Sequence, residues 1–180
     1  MTHPNLKRAV GSLAPDADGR LNAGVAAGVA VGALMISGLL AHAAPNVERD
    51  RSVRRWYRAL DKPAATPPDK VFAVIWPAIE VSLAVAGWRL MRAPASPRRN
   101  LALGLLALNA AQIPVYPAVF FGGRSVLGGL AASTAVVAGA WAYVLAAWPV
   151  DRVAAVAGLP LAKWTTFAEY LSAELFRRNR

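Results

Sequence analysis

The long apolar runs most constrain what this chain can fold into. Residues 21–44 read LNAGVAAGVAVGALMISGLLAHAA and carry no Asp, Glu, Lys or Arg. At roughly 1.5 Å of rise per residue, about twenty apolar residues match the hydrocarbon thickness of a bilayer. Four more runs of that order follow, at 70–91, 101–121, 126–148 and 153–176. A soluble domain of this size breaks its hydrophobic stretches with polar faces far more often. The expectation is an all-α integral membrane bundle of five transmembrane helices in one domain, 21–180, behind a disordered polar tail, 1–20, that holds Pro4, Pro15, Asp16 and Asp18. The first run follows Lys7 and Arg8 and ends near an Ala-His-Ala, as a signal peptide would, but it is too long for an h-region and reads as a retained helix.

Charge fits the same picture. The net charge of +10 would suggest nucleic acid in a soluble protein. Here the cations cluster between the runs, at Arg49 to Arg58, Arg89 to Arg99 and Arg177 to Arg180, where they meet lipid headgroups. The bilayer is the expected partner, with no nucleic acid. Lys and Arg number eleven on the side of the first loop, third loop and C-terminus, against eight on the other. The positive-inside rule then places the C-terminus in the cytoplasm. The chain has no cysteine, and His3 and His42 stand apart, so no disulfide framework or metal-ligand cluster is expected.

Inside the runs, polarity is sparse. Gly24, Gly28 and Gly32 form overlapping GxxxG steps suited to close helix packing. Pro114 and Pro117 in one run imply a kinked helix whose freed carbonyls need new partners. Gly122 to Ser125 is a tight turn, which makes the third and fourth helices antiparallel neighbours. Trp141, Tyr143 and Trp148 suit an interfacial belt. Glu80 and Lys163 are charges within runs, costly at membrane depth unless paired or wetted. They can form a structural ion pair, or Lys163 can snorkel to an interface, or the two can serve as the coupling site of an ion-coupled transporter. Trp76 and Trp164 either anchor depth as belt residues or offer flat faces to a planar ligand.

The stretch from Trp56 to Trp76, WYRALDKPAATPPDKVFAVIW, joins the first two runs. It starts as a short amphipathic turn and passes through Pro63, Pro67 and Pro68, and Pro-Pro cannot lie inside a helix. Asp69 then serves as an N-cap for a helix from Lys70. Its pattern, Trp56, Tyr57, Leu60, Lys62, Pro63, Pro67, Pro68, Val71, Phe72 and Trp76, resembles the tryptophan-rich sensory protein/translocator protein (TspO/MBR) family. PAVFFGGR at Pro117 to Arg124 is similar to the end of that family's third helix. LPLAKWTTFAEYLSAELFRRN at Leu159 to Asn179 is similar to its fifth.

The resemblance implies a five-helix bundle, homodimeric, in a bacterial cell membrane. It binds porphyrins (protoporphyrin IX or haem) or other small planar hydrophobic ligands under the first loop, with no covalent cofactor, for transport, sequestration or stress signalling. The implied ligand residues are Trp76, Tyr116, Phe120, Trp164, Phe167, Ala168, Leu171 and Ser172. The lid comprises Trp56, Tyr57, Arg58, Lys62, Pro63, Pro67 and Pro68, with Arg54, Arg55, Arg58 and Lys62 meeting ligand propionates. The alternative activity is light-dependent porphyrin breakdown through Trp76 and Trp164. Departures from the pattern are Ala64-Ala65-Thr66 where the lid often carries tryptophan, Glu80 in place of a tyrosine, and Ser172 in place of an asparagine.

Overall fold

A computed structural model describes residues 14–45 and 49–180 of the chain; residues 1–13, most of the expected tail, lie outside the described residues. Among them every regular element is helical. The helices are α1 (Ala23–Ala43), α2 (Arg51–Ala59), α3 (Asp69–Arg92), α4 (Pro97–Gln112), α5 (Val126–Ala147) and α6 (Arg152–Arg178). Between α4 and α5 come a single helical turn, Val115–Pro117, and a π-helical turn, Ala118–Gly122.

The long helices form a ring in which α3 packs on α1 and α6, α6 on α5, and α5 on α4, with α4 closing back onto α1 and α3. The core runs through Ile79, Leu83, Leu90, Leu106, Tyr143 and Leu161. Large apolar side chains also cover the outside: Val74 and Leu145 are each 72% exposed, and Leu39 is 67% exposed. Such a surface is lipid-facing, where exposed aliphatic groups cost nothing. Ala23–Leu40, Lys70–Arg92, Pro97–Gly122 and Val126–Ala147 are long and apolar enough to cross a membrane. At 27 residues α6 is also long enough, but Lys163, Glu169, Glu174 and the two closing arginines make it more polar. The expected five spans are therefore met by four helices on length and composition together.

Several boundaries moved. α3 begins at Asp69, with Pro68 as its cap residue and no side-chain cap bond, in place of the expected Asp69 cap. α4 begins at Pro97, because Ser96 accepts from the Arg99 amide and proline suits a first helical turn. The linker expected to reach Asn100 is that much shorter. The tail expected to be disordered through Arg20 forms, over residues 14–20, a turn built on the Asp16 carboxylate, which accepts from the Asp18 and Arg20 amides. Buried Arg99 sews this turn to the end of α3, donating to the Leu90, Met91 and Gly19 carbonyls at 3.0, 3.2 and 3.0 Å. At the same end Arg89 reaches the Asp151 carboxylate at 2.9 Å, joining α3 to the N-cap of α6. Burial alone would raise the Asp151 pKa; the Arg89 bonds and the Ala154 and Val153 amides together outweigh it and hold the carboxyl below its ordinary value.

The third span breaks where its prolines predict. Pro114 has no N–H, so the Ala110 carbonyl loses its helical donor. Ser37 of α1, 5% exposed, supplies one: its Oγ donates to Ala110 O at 3.0 Å. The GxxxG glycines of α1 play no part in this packing, since a Cβ on Gly28 or Gly32 would meet nothing within 4 Å. Ala26 and Ala30 face the bundle instead.

Ser37→Ala is expected to lower stability by about 1 kcal/mol, the cost of an unmet carbonyl in an apolar setting. In a Pro114→Ala background, where the amide N–H returns, the same change should cost less than about half as much. Thermal unfolding of the four proteins in one detergent gives the comparison, and equal costs in both backgrounds would contradict it.

Candidate functional site

The site grows from the break in the third span. Below Pro114 and Pro117 the backbone winds into the π-helical turn, with one residue more per turn than an α-helix would hold. Phe120 and Phe121 sit on this turn at right angles to one another, ring centroids 4.8 Å apart. Phe120 is 3% exposed and lies so close to α5 that a Cβ on Gly129 would stand 2.5 Å from its ring. Only glycine lets the ring in. Tyr116, one turn earlier, stacks on Phe120 at 5.5 Å.

The first loop folds down on these rings. Its amphipathic stretch is a nine-residue helix, α2, rather than a single turn, capped by Asp50, which accepts from the Ser52 and Val53 amides. The Ser52 hydroxyl and these amides hold the Asp50 carboxyl below its ordinary pKa. Val53 is buried, and Trp56 meets Phe120 edge-on at 5.2 Å while Tyr57 meets Phe121 at 5.6 Å. Lys62 Nζ lies 4.5 Å over the Tyr57 ring. Of the basic lid residues expected to face a ligand, Arg55 and Arg58 lie on the exposed face of α2, Arg54 is half-buried, and Lys62 touches the aromatic cluster. Pro63 is buried, Pro67 half-buried and Pro68 exposed; the Thr66 amide closes a turn onto the Pro63 carbonyl over Ala64 and Ala65.

Two latches hold the lid. Arg124, in the left-handed region at φ 47, donates to Ser52 Oγ at 2.6 Å. At the other end Asn179 clasps the Asp61 backbone, accepting its N–H at 2.9 Å and donating to its carbonyl at 3.0 Å, and Arg178 lies 3.6 Å from the Asp61 carboxylate.

The remaining expected residues fall into a second group on α3 and α6. Trp164 meets Phe72 edge-on at 5.4 Å and Phe167 at 5.7 Å. Trp76 packs half-buried against the core, with no ring contact to Trp164 among the described residues. Ala168 and Leu171 are half-buried and Ser172 is buried. Glu80 and Lys163 do not form the ion pair envisaged for them. Glu80 Oε1 turns to α1, 3.9 Å from where a Cβ of Gly38 would stand, whereas Lys163 is exposed in the seam between α3 and α6. That seam is an open, almost wholly apolar groove of about 390 Å³.

One polar contact escaped the sequence reading. Glu169 of α6 accepts from the hydroxyls of Ser133 and Thr134 of α5, the latter at 2.6 Å. A Ser-Thr pair in an otherwise apolar run was the available signal, but nothing in the sequence says which helix it faces.

Comparison with known proteins fits this geometry. The model of the TspO/MBR family matches residues 26–178. Protein CrtK of Rhodobacter capsulatus is 28% identical over 127 residues, covering 69% of this chain and 78% of that protein. A tryptophan-rich sensory protein of Cereibacter sphaeroides is 30% identical over 128 residues, covering 69% and 77%. The translocator protein of Ovis aries is 28% identical over 137 residues, covering 70% and 76%. The chain belongs to the TspO/MBR family and is a membrane protein.

Asn179→Ala removes both bonds to Asp61 and is expected to speed tryptic cleavage at the lid arginines about fivefold, since two exposed bonds at about 0.5 kcal/mol each contribute about 1 kcal/mol together. Gly129→Ala should speed it as well, by pushing Phe120 off its seat under Trp56. Unchanged cleavage in both variants would show that neither contact holds the lid.

Proposed function

Starting from that family membership, we propose that the protein is a five-span receptor or transport protein that binds a tetrapyrrole, or a similar flat hydrophobic ligand, beneath α2. α6 is the fifth span. Two of its acids are taken up by neighbours, Glu169 by the α5 hydroxyls and Glu174 by Arg177 and Arg178, which supports placing it at the depth of α3 and α5. The observation that carries the reading is the lid itself: a basic amphipathic helix whose apolar side rests ring-on-ring against Phe120 and Phe121.

Ligand entry lifts this helix. Trp56 and Tyr57 then exchange their edge contacts with Phe120 and Phe121 for the face of the ligand, at little net cost because stacking replaces stacking. Trp76, Tyr116, Phe120, Trp164, Phe167, Ala168, Leu171 and Ser172 form the surroundings. Lys62 is a cation placed to meet a propionate, supported by its position over Tyr57. Protoporphyrin IX and haem both suit such a site, in which affinity comes from apolar burial and no residue has to form a covalent bond.

The lid and the C-terminus share the more basic end of the bundle, which supports a cytoplasmic orientation for both. A homodimer has a face available in α1, where Gly28 and Gly32 are open.

Protoporphyrin IX added to the purified protein should quench its tryptophan fluorescence saturably. Trp164→Phe should weaken the apparent affinity about fivefold, the effect of one aromatic contact of about 1 kcal/mol. Quenching that neither saturates nor responds to Trp56→Ala or Trp164→Phe would overturn the reading.

A further inference from the structure

The groove between α3 and α6 lies apart from the lid, and its chemistry is one-sided. Ile75, Ala78 and Ile79 of α3 form one wall; Pro160, Lys163 and Trp164 of α6 form the other. Its one charged side chain is a donor, and so is the polar atom of the indole beside it. The Lys163 ammonium is exposed and takes part in no ion pair or hydrogen bond among the described residues, and the Trp164 indole N–H is buried without an acceptor. The acid envisaged as the partner of Lys163 is Glu80, and it faces α1.

Lys163 lies near the middle of α6, opposite residues near the middle of α3. A cation at that depth is expensive in hydrocarbon unless an anion or water meets it. Snorkelling carries the ammonium part of the way, but the groove leaves an apolar trough beside it that lipid must fill.

We propose that this groove binds a single-chain carboxylic acid from the membrane, with the carboxylate at Lys163 and the hydrocarbon chain along Ile75, Ala78, Ile79 and Pro160. The carboxylate answers the lone ammonium through a charge-assisted hydrogen bond, stronger in low dielectric than in water. A second acceptor oxygen is then available to the Trp164 N–H after a small ring movement. The chain replaces disordered lipid against an apolar wall, which sets length and saturation as weak selectors and the acid group as the strong one. The site rests on α6 lying at the depth of α3 and does not depend on porphyrin binding under the lid.

The test uses 9,10-dibromostearic acid, whose bromines quench nearby indoles, with its methyl ester as the uncharged comparison, on the full chain in nanodiscs of zwitterionic lipid. The Trp164 signal is the difference between the wild type and Trp164→Phe. The acid should quench that signal with an apparent affinity about tenfold better than the ester. Lys163→Met should abolish that tenfold advantage, and Lys163→Arg should retain it. Lys163 bonds to nothing among the described residues, so its variants should melt with the wild type. Equal quenching by acid and ester in the wild type overturns the proposal, as does an unchanged acid affinity in Lys163→Met. Loss of porphyrin quenching with the acid preference intact would overturn only the reading of the lid.

Discussion

The requirement that every backbone polar group find a partner in an apolar surrounding shapes this molecule more than any single side chain. Helices meet it automatically until a proline interrupts them. Pro114 frees the Ala110 carbonyl, and Ser37 of α1 takes it up. That bond pins α1 to α4 where the ring closes while allowing the third span to change course. The π-helical turn beyond it carries Phe120 and Phe121 to the end of the bundle, and Gly129 of α5 makes the room they need. Lid, aromatic cluster and proline break are thus consequences of one local defect, accommodated rather than avoided.

The same requirement explains the polar groups of α6. Glu169 faces two hydroxyls, Glu174 faces two arginines, and Asn179 spends its amide on the lid. These contacts let a helix with more charge than its neighbours lie among them. Lys163 and the Trp164 indole N–H stand out, since neither has a partner among the described residues.

Much of this was legible in the sequence, for identifiable reasons. Run length marked the spans because a bilayer has one thickness, and Pro67-Pro68 marked the start of α3 to within a residue. Local capping chemistry was present but outweighed: Ser96-Pro97 announces a helix start, yet the arginines around it read as linker, and Asp50 announces α2. What stayed hidden was pairing between distant segments. Nothing local says that Ser37 answers Ala110, that Glu169 answers Ser133 and Thr134, or that Glu80 turns away from Lys163. Residues of the lid motif proved close to one another, whereas Trp76 and Trp164, though both matched the family pattern and both pack against the same core, make no ring contact with each other among the described residues.

The central claim is that α2 and the π-helical turn form a lid and seat that open around a planar ligand. Amide hydrogen exchange measured by mass spectrometry, with and without saturating protoporphyrin IX, addresses it directly. The account predicts that peptides covering α2 and residues 113–123 change together on binding, and by more than those from the far ends of α1 and α5. Exchange that changes only along the outer faces of the helices, with α2 and the π-helical turn untouched, would contradict it.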